Sequence, residues 1–229
     1  MESDRVKVEL IAYTPNPDAV CNVAAGTCVS EDIPNMEMSV NKYRALKGAL
    51  ASGHESVAEH ANFTFAISGV SRACLAQLSR HRLMSLSVQS QRYVQLDDFE
   101  YGIPKSIQDD EGARDVFINC MTCINDIYCS LIEDYHIPAE DARAVLPNAC
   151  KTNIVLTANA RELRHIFALR CCTRAQGEIR ELANRMLELV EEVAPTIFED
   201  AGASCVQTGR CPEGAKSCGK VKKSQDVSD

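Results

Sequence analysis

Residues 79–94 read SRHRLMSLSVQSQRYV and bring Arg80, His81, Arg82, Ser85, Ser87, Gln89, Ser90, Gln91 and Arg92 into thirteen positions. Cations this close repel one another, so grouping them costs stability unless an anion or several carboxylates neutralise the set. Arginine forks beside serine and glutamine donors are the chemistry of a phosphate site. The competing reading is a solvated loop paired with the chain's many acids. The flanking pattern, an apolar helix entering and a strand leaving, favours a fixed concave loop.

A second polar segment is NARELRHIFALR, Asn159 to Arg170. At about 100° per residue, Leu163, Ile166, Phe167 and Arg170 share one helix face, so Arg170 lies within an apolar stripe. Its charge must meet a carboxylate, another acceptor or a ligand, because burying it unpaired is costly. A structural ion pair is the alternative to a ligand. Arg161 and His165, four residues apart, share another face and could reach one ligand together. The segment HESVAEH, His54 to His60, suggests a metal but is not HExxH. Six residues put His54 and His60 on different sides of a helix, so no metal is assigned, and ligand contacts or capping are preferred. Cys120 and Cys123 form CxxC inside an apolar stripe, which disfavours a redox role. Cys205, Cys211 and Cys218 lack zinc spacing. With neither a Walker A sequence nor GxGxxG, any nucleotide is held by side chains.

The chain has 229 residues, 45% hydrophobic and 24% charged, enough for one domain with a substantial core. A net charge of −8 argues against general binding to nucleic acid or a membrane surface, so any anion site is local. Of 24 basic residues 15 are arginine, the side chain suited to bidentate anion recognition. No apolar run has the length of a signal peptide or membrane span, which predicts a cytoplasmic protein. Most of the twelve cysteines, including Cys74, Cys120, Cys123, Cys129, Cys150 and Cys171, fall in helical patterns and read as reduced core residues.

The elements that must position these groups follow from periodicity. Val6 to Ile11 alternates as a strand, with Val6, Val8 and Leu10 on one face. Tyr13 to Asp32 reads as loop or short helix. Val40 to Ser52 suits a helix with Gly53 as a left-handed cap. NFTFAI is a second strand, and a helix from about Ser71 to Ser79 leads into RHR. Ser90 to Leu96 reads as extended. A long helix follows Asp109, Asp110 and Glu111, with an apolar stripe of Val116, Cys120, Ile124, Ile127, Leu131 and Tyr135. A short helix from Pro138 to Leu146 places Arg143. Asn159 and Glu162 resemble a capping box. Another helix runs from Gln176 to Val193. The mixture predicts an α/β (α+β) single domain, a mixed sheet packed with several long helices, over residues 1–208, with a polar, disordered tail at 209–229.

RHR followed by seven residues and a serine, here Arg80, His81, Arg82 and Ser90, resembles the signature of the flavin-dependent thymidylate synthases. HESVAEHANFTF, LAQLSRHR, SQRYV, DARAVLPN and NARELRHIFALR extend the resemblance in order from His54 to Arg170. It implies an α/β homotetramer whose active sites form where subunits meet. The implied reaction converts dUMP to dTMP with methylenetetrahydrofolate as one-carbon donor, NADPH as reductant and FAD as cofactor. The implied dUMP set is Gln77, Arg80, Gln89, Ser90, Gln91, Arg92, Arg143 and Arg170, with Arg170 activating the uracil ring. The implied FAD set is His54, Ser56, Arg80, His81, Arg82, Asn159, Arg161 and His165. Ser90 as a nucleophile ranks below phosphate or base binding, since His81 sits among arginines that disfavour its acting as a base. Val88 stands where some members carry glutamate, and Leu163 where many carry tryptophan. A non-enzymatic nucleotide or RNA-binding module is the rival; it would want more aromatic platforms than 5% supplies.

Overall fold

A computed structural model describes residues 6–35 and 43–220. Alternation of exposed Lys7 and Glu9 with partly buried Val8 and Leu10 makes Lys7–Tyr13 the strand β1. In β2 (Asn62–Ser71), Phe63, Phe65 and Ile67 are buried on one face. In β4 (Lys151–Asn159), Thr152, Ile154, Leu156 and Ala158 repeat the pattern. β3 is Met84–Val88, and the four strands form one sheet in the order β1-β2-β4-β3. Neighbouring strands run in opposite directions, so the sheet is antiparallel and not the mixed sheet expected. The end of β1 meets the start of β2, where Thr14 N donates to Asn62 O over 3.0 Å. Ala160 N, just past β4, donates to Ala61 O over 2.8 Å, and Arg72 N, just past β2, to Cys150 O over 2.9 Å. Gln89 N, just past β3, donates to Asn153 O over 2.9 Å.

The extended stretch expected at Ser90 to Leu96 is a turn instead, with Ser90 O accepting from Tyr93 N and Val94 N. The strand lies earlier because Met84, Leu86 and Val88 alternate with Ser85 and Ser87, a period of two that the adjacent cations obscure. The segment expected as loop or short helix contains α1, Pro17–Thr27, three turns long with proline in its first turn. α2 is Arg44–Ala51, followed by Gly53 at φ 77° as expected; the expected helix start at residues 40–42 lies outside the described residues.

Contacts divide the chain into two units. The first comprises Ile67–Arg80 and Leu86–Val155, with Val6 and Lys7. It holds α3 (Arg72–Leu78), α4 (Lys105–Gln108), α5 (Glu111–Glu133) and α6 (Ala139–Ala142). Asp110 caps α5 by accepting from Ala113 N. Phe99, Met121 and Cys150 form a core with Phe117, Ile124 and Leu146 packed against it, and Tyr128 is fully buried, its hydroxyl accepting from Leu96 N. The stripe expected on α5 is therefore rotated from the buried face. Val116 is 71% exposed and Tyr135, just past the helix, 70%. Cys120 and Cys123 are exposed rather than core, because Phe117, Met121, Ile124 and Tyr128 offer the larger apolar surface and turn inward.

The second unit comprises Val8–Ala66, His81–Ser85 and Leu156–Asp229. α7 (Ala160–Arg170) and α8 (Gly177–Val193) each begin with a side-chain cap, Asn159 accepting from Glu162 N and Gln176 from Glu178 N and Ile179 N. Phe63 and Phe167 meet Phe198 edge to face, centroids 5.5 and 5.9 Å apart, within a core that includes Leu163, Ile166, Leu182 and Met186. Asp18 on α1, 4% exposed, accepts from Thr196 N at 2.8 Å and Ile197 N at 3.0 Å. A short helix, α9, spans Ser204–Thr208. Beyond it, the tail places Glu213 3.9 Å from Arg174, and residues 221–229 lie outside the described residues. Among the described residues no helix is long and apolar enough to cross a membrane.

Candidate functional site

In the first unit, α3 and the paired ends of β3 and β4 hold Gln77, Arg80 and the loop Gln89–Arg92. Ser71 caps α3 by accepting from Cys74 N at 3.0 Å, and the helix carries Gln77 before Arg80 follows its end, exposed. Gln89 is fixed at both backbone atoms: its N–H continues the β3–β4 pairing, and its carbonyl accepts from the Arg72 guanidinium at 2.8 Å. Ser90 Oγ accepts from Arg92 N at 3.2 Å, and Gln91 donates to the Cys150 sulfur at 3.7 Å. Arg92 pairs with one oxygen of Glu140, from Nε at 2.9 Å and a terminal nitrogen at 2.8 Å. Arg143 Nε donates to the Glu140 carbonyl at 3.0 Å. Glu140 thus gathers Arg92 and Arg143. Burial, with the neighbouring Arg143 charge adding to it, lowers the Arg72 guanidinium from its ordinary value, and Arg72 Nε is buried with no hydrogen-bond partner.

In the second unit, α7 organises the remaining groups. Its cap, Asn159, fixes the helix start, and Arg161 and His165 stand exposed on it. Arg161 pairs with Glu59, whose carboxylate raises the guanidinium further above its ordinary value. His54 is exposed just before the 3-10 turn Glu55–His60 and Ser56 within it, and Arg82 is exposed as well. His81 is 6% exposed, and its ring meets His165 edge to face at 5.7 Å. Arg170, partly buried at the end of α7, donates from Nε to His81 Nε2 at 3.0 Å. The acceptor expected for Arg170 thus includes an imidazole.

His81 is held neutral at pH 7 in this arrangement. Burial, then the Arg170 charge, then His165, lower its pKa from 6.5 to about 4. The 3.9 Å approach of Nδ1 to Glu162 is therefore an ion–dipole contact rather than an ion pair. An unfolded chain takes up this proton near pH 6.5 and the folded chain only near 4, so stability falls as pH drops through that window. His81→Asn is expected to flatten this decline; comparing urea unfolding of the two proteins at pH 7 and pH 5 measures it.

The sequence alone did not single out Arg72, Arg164 or Glu162 as structural partners of these groups. Arg164 is 4% exposed and donates to Ile197 O at 2.6 Å and Asp200 at 2.7 Å, with Glu55 at 3.7 Å, linking α7 to the turn between His54 and His60. The available signal was position: Arg164 lies four residues after Ala160 and three before Phe167, both buried.

The sequence model of the family described as thymidylate synthase complementing protein matches residues 9–196. A flavin-dependent thymidylate synthase of Geobacter sulfurreducens is 50% identical over 222 residues, 94% of this chain and 95% of that protein. One of Clostridium tetani is 47% identical over 97% of this chain and 96% of its own length. The crystal structure of thymidylate synthase X from Helicobacter pylori with FAD and dUMP superposes with a TM-score of 0.65 at 25% identity, covering 85% of this chain and 98% of that one. Near-full-length identity at this level, on a fold whose RHR loop and α7 lie within the matched span, has one meaning: the chain belongs to the flavin-dependent thymidylate synthases.

Proposed function

We propose that this chain converts dUMP to dTMP as a cytoplasmic homotetramer, with the catalytic part in residues 1–208 and a polar tail beyond it. The observation that supports this best is the gathering of Arg72, Arg92 and Arg143 beside the fixed loop Gln89–Arg92. An anion beside the exposed forks of Arg92 and Arg143 relieves the repulsion between them. In this reading the dUMP phosphate and ring are held by Gln77, Arg80, Gln89, Ser90, Gln91, Arg92, Arg143 and Arg170. Arg170 is always protonated, and its fork stabilises negative charge that develops on uracil N3 and the carbonyl oxygens.

The donor chemistry of the second unit also fits FAD. His54, Ser56, Arg82, Arg161 and His165 present exposed donors for a diphosphate and its sugars, with His81 and Asn159 fixed behind them; Arg80 completes the set. Bound FAD supplies hydride chemistry, with NADPH as reductant and methylenetetrahydrofolate as one-carbon donor. No protein nucleophile is invoked: the His81 Nε2 lone pair already accepts from Arg170, and Ser90 Oγ accepts from the Arg92 backbone. Exposed Val116 and Ile127 on α5 and Tyr135 past its end suit a subunit contact, and twelve free cysteines suit a reducing compartment. Titrating FAD-loaded protein with dUMP tests the reading. A dUMP-dependent change in the flavin spectrum and dTMP formation are expected; a colourless protein that takes up no added FAD would overturn it.

A further inference from the structure

We infer that Glu162 is a positioning residue for Arg170, acting through His81, whose imidazole it holds in the tautomer that offers Nε2 as an acceptor. The inference rests on the proposed role of Arg170 and adds to it the device that aims the guanidinium.

The geometry carries three linked observations. Arg170 Nε–H points at His81 Nε2 over 3.0 Å, so that nitrogen bears no proton and the ring's one proton is on Nδ1. The Nδ1 side faces Glu162 Oε1 at 3.9 Å, and the side chains of His81 and Glu162 are 3% and 7% exposed. A carboxylate at that distance in a poorly solvated site favours the tautomer whose N–H dipole points toward it. Glu162 and Arg170 lie eight residues apart on α7, roughly 12 Å along the axis at 1.5 Å per residue. One imidazole therefore braces both ends of the same helix. Of the charged or titratable groups facing His81, Arg170 and His165 oppose its protonation, and Glu162 is the acidic one.

Removing the carboxylate changes the preference. In Glu162→Gln, an amide near Nδ1 can donate to it, which moves the imidazole proton to Nε2 and sets it against the Arg170 Nε–H. The guanidinium must then turn, and a misaligned fork costs turnover.

The test begins with the intact FAD-loaded protein carrying 15N-labelled histidine at pH 7. NMR is expected to show His81 protonated on Nδ1 in the unaltered protein and shifted toward Nε2–H in Glu162→Gln. An Nε2–H tautomer in the unaltered protein overturns the inference without any variant. Turnover supplies the second measurement. Glu162→Gln is expected to lower kcat roughly 10- to 100-fold with little change in thermal midpoint. Adding Glu162→Gln to His81→Asn should cost little more, because an asparagine carbonyl accepts from Arg170 whatever Glu162 does. Additive losses, or an unchanged tautomer and kcat in folded Glu162→Gln, overturn it. If Arg170→Lys impairs turnover while Glu162→Gln does not, this inference alone fails; if Arg170→Lys is harmless, the proposed role of Arg170 fails.

Discussion

Arg170→Lys is expected to cut dTMP formation by on the order of 10²–10³-fold while leaving the protein folded and yellow. Lysine keeps the charge but loses the planar fork. It also loses the Nε–H that His81 accepts, so the cation is no longer held in one orientation. Folding should survive because Arg170 is only partly buried at the end of α7, where a flexible ammonium can reach solvent. Flavin retention follows because Arg170 is outside the proposed FAD set. Steady-state turnover with saturating dUMP, alongside the flavin absorbance of the purified protein, checks both halves. A turnover near that of the unaltered enzyme would remove Arg170 from the chemistry.

The largest loss of stability from a single polar side chain is expected at Asp18. Its two oxygens accept from the backbone N–H groups of Thr196 and Ile197, and the residue is 4% exposed. Asp18→Ala leaves both donors without this partner, Ile197 N–H in buried surroundings and Thr196 N–H in partly buried ones, at a cost of about 2–4 kcal/mol. The effect should show as a lower urea midpoint with an unchanged slope. Since Ile197 and Phe198 adjoin the Arg164 contact, the same variant should lose protection from hydrogen exchange between residues 194 and 201 before it unfolds. A midpoint unaltered within error would mean that the loop is held by Phe198 packing alone.

Much of this architecture is legible in the sequence where one physical signal dominates. Phe63, Phe65 and Ile67 alternate too regularly to be anything but a strand, and Asn159 three residues before Glu162 marks a helix start by itself. Legibility fails where two signals compete. In MSLSV the serines and neighbouring arginines mask the alternation, so the strand was displaced to the turn at Ser90 to Leu96. On α5 two overlapping apolar stripes share Ile124, and periodicity cannot say which one turns inward. The turn formers of α1 concealed a helix whose anchor, Thr196 and Ile197, lies almost the whole chain away. The candidate site residues and their partners divide in the same way. Arginines in a dense motif declare themselves, whereas Arg72, Glu162 and Arg164 act on partners that are distant in sequence or hidden among apolar neighbours.

Glu140 meets Arg92 through its carboxylate and Arg143 through its carbonyl. The chain thus carries its own counter-ion at the place proposed for the phosphate. A visiting anion must outcompete a tethered one whose translational entropy is already spent, which sets a threshold. Chloride, with one charge and no directional lone pairs to match a fork, falls below it. A dianion with three oxygens clears it, and the released carboxylate, about half exposed, returns to water at little cost. Selectivity for a doubly charged guest is then a property of exchange rather than of attraction.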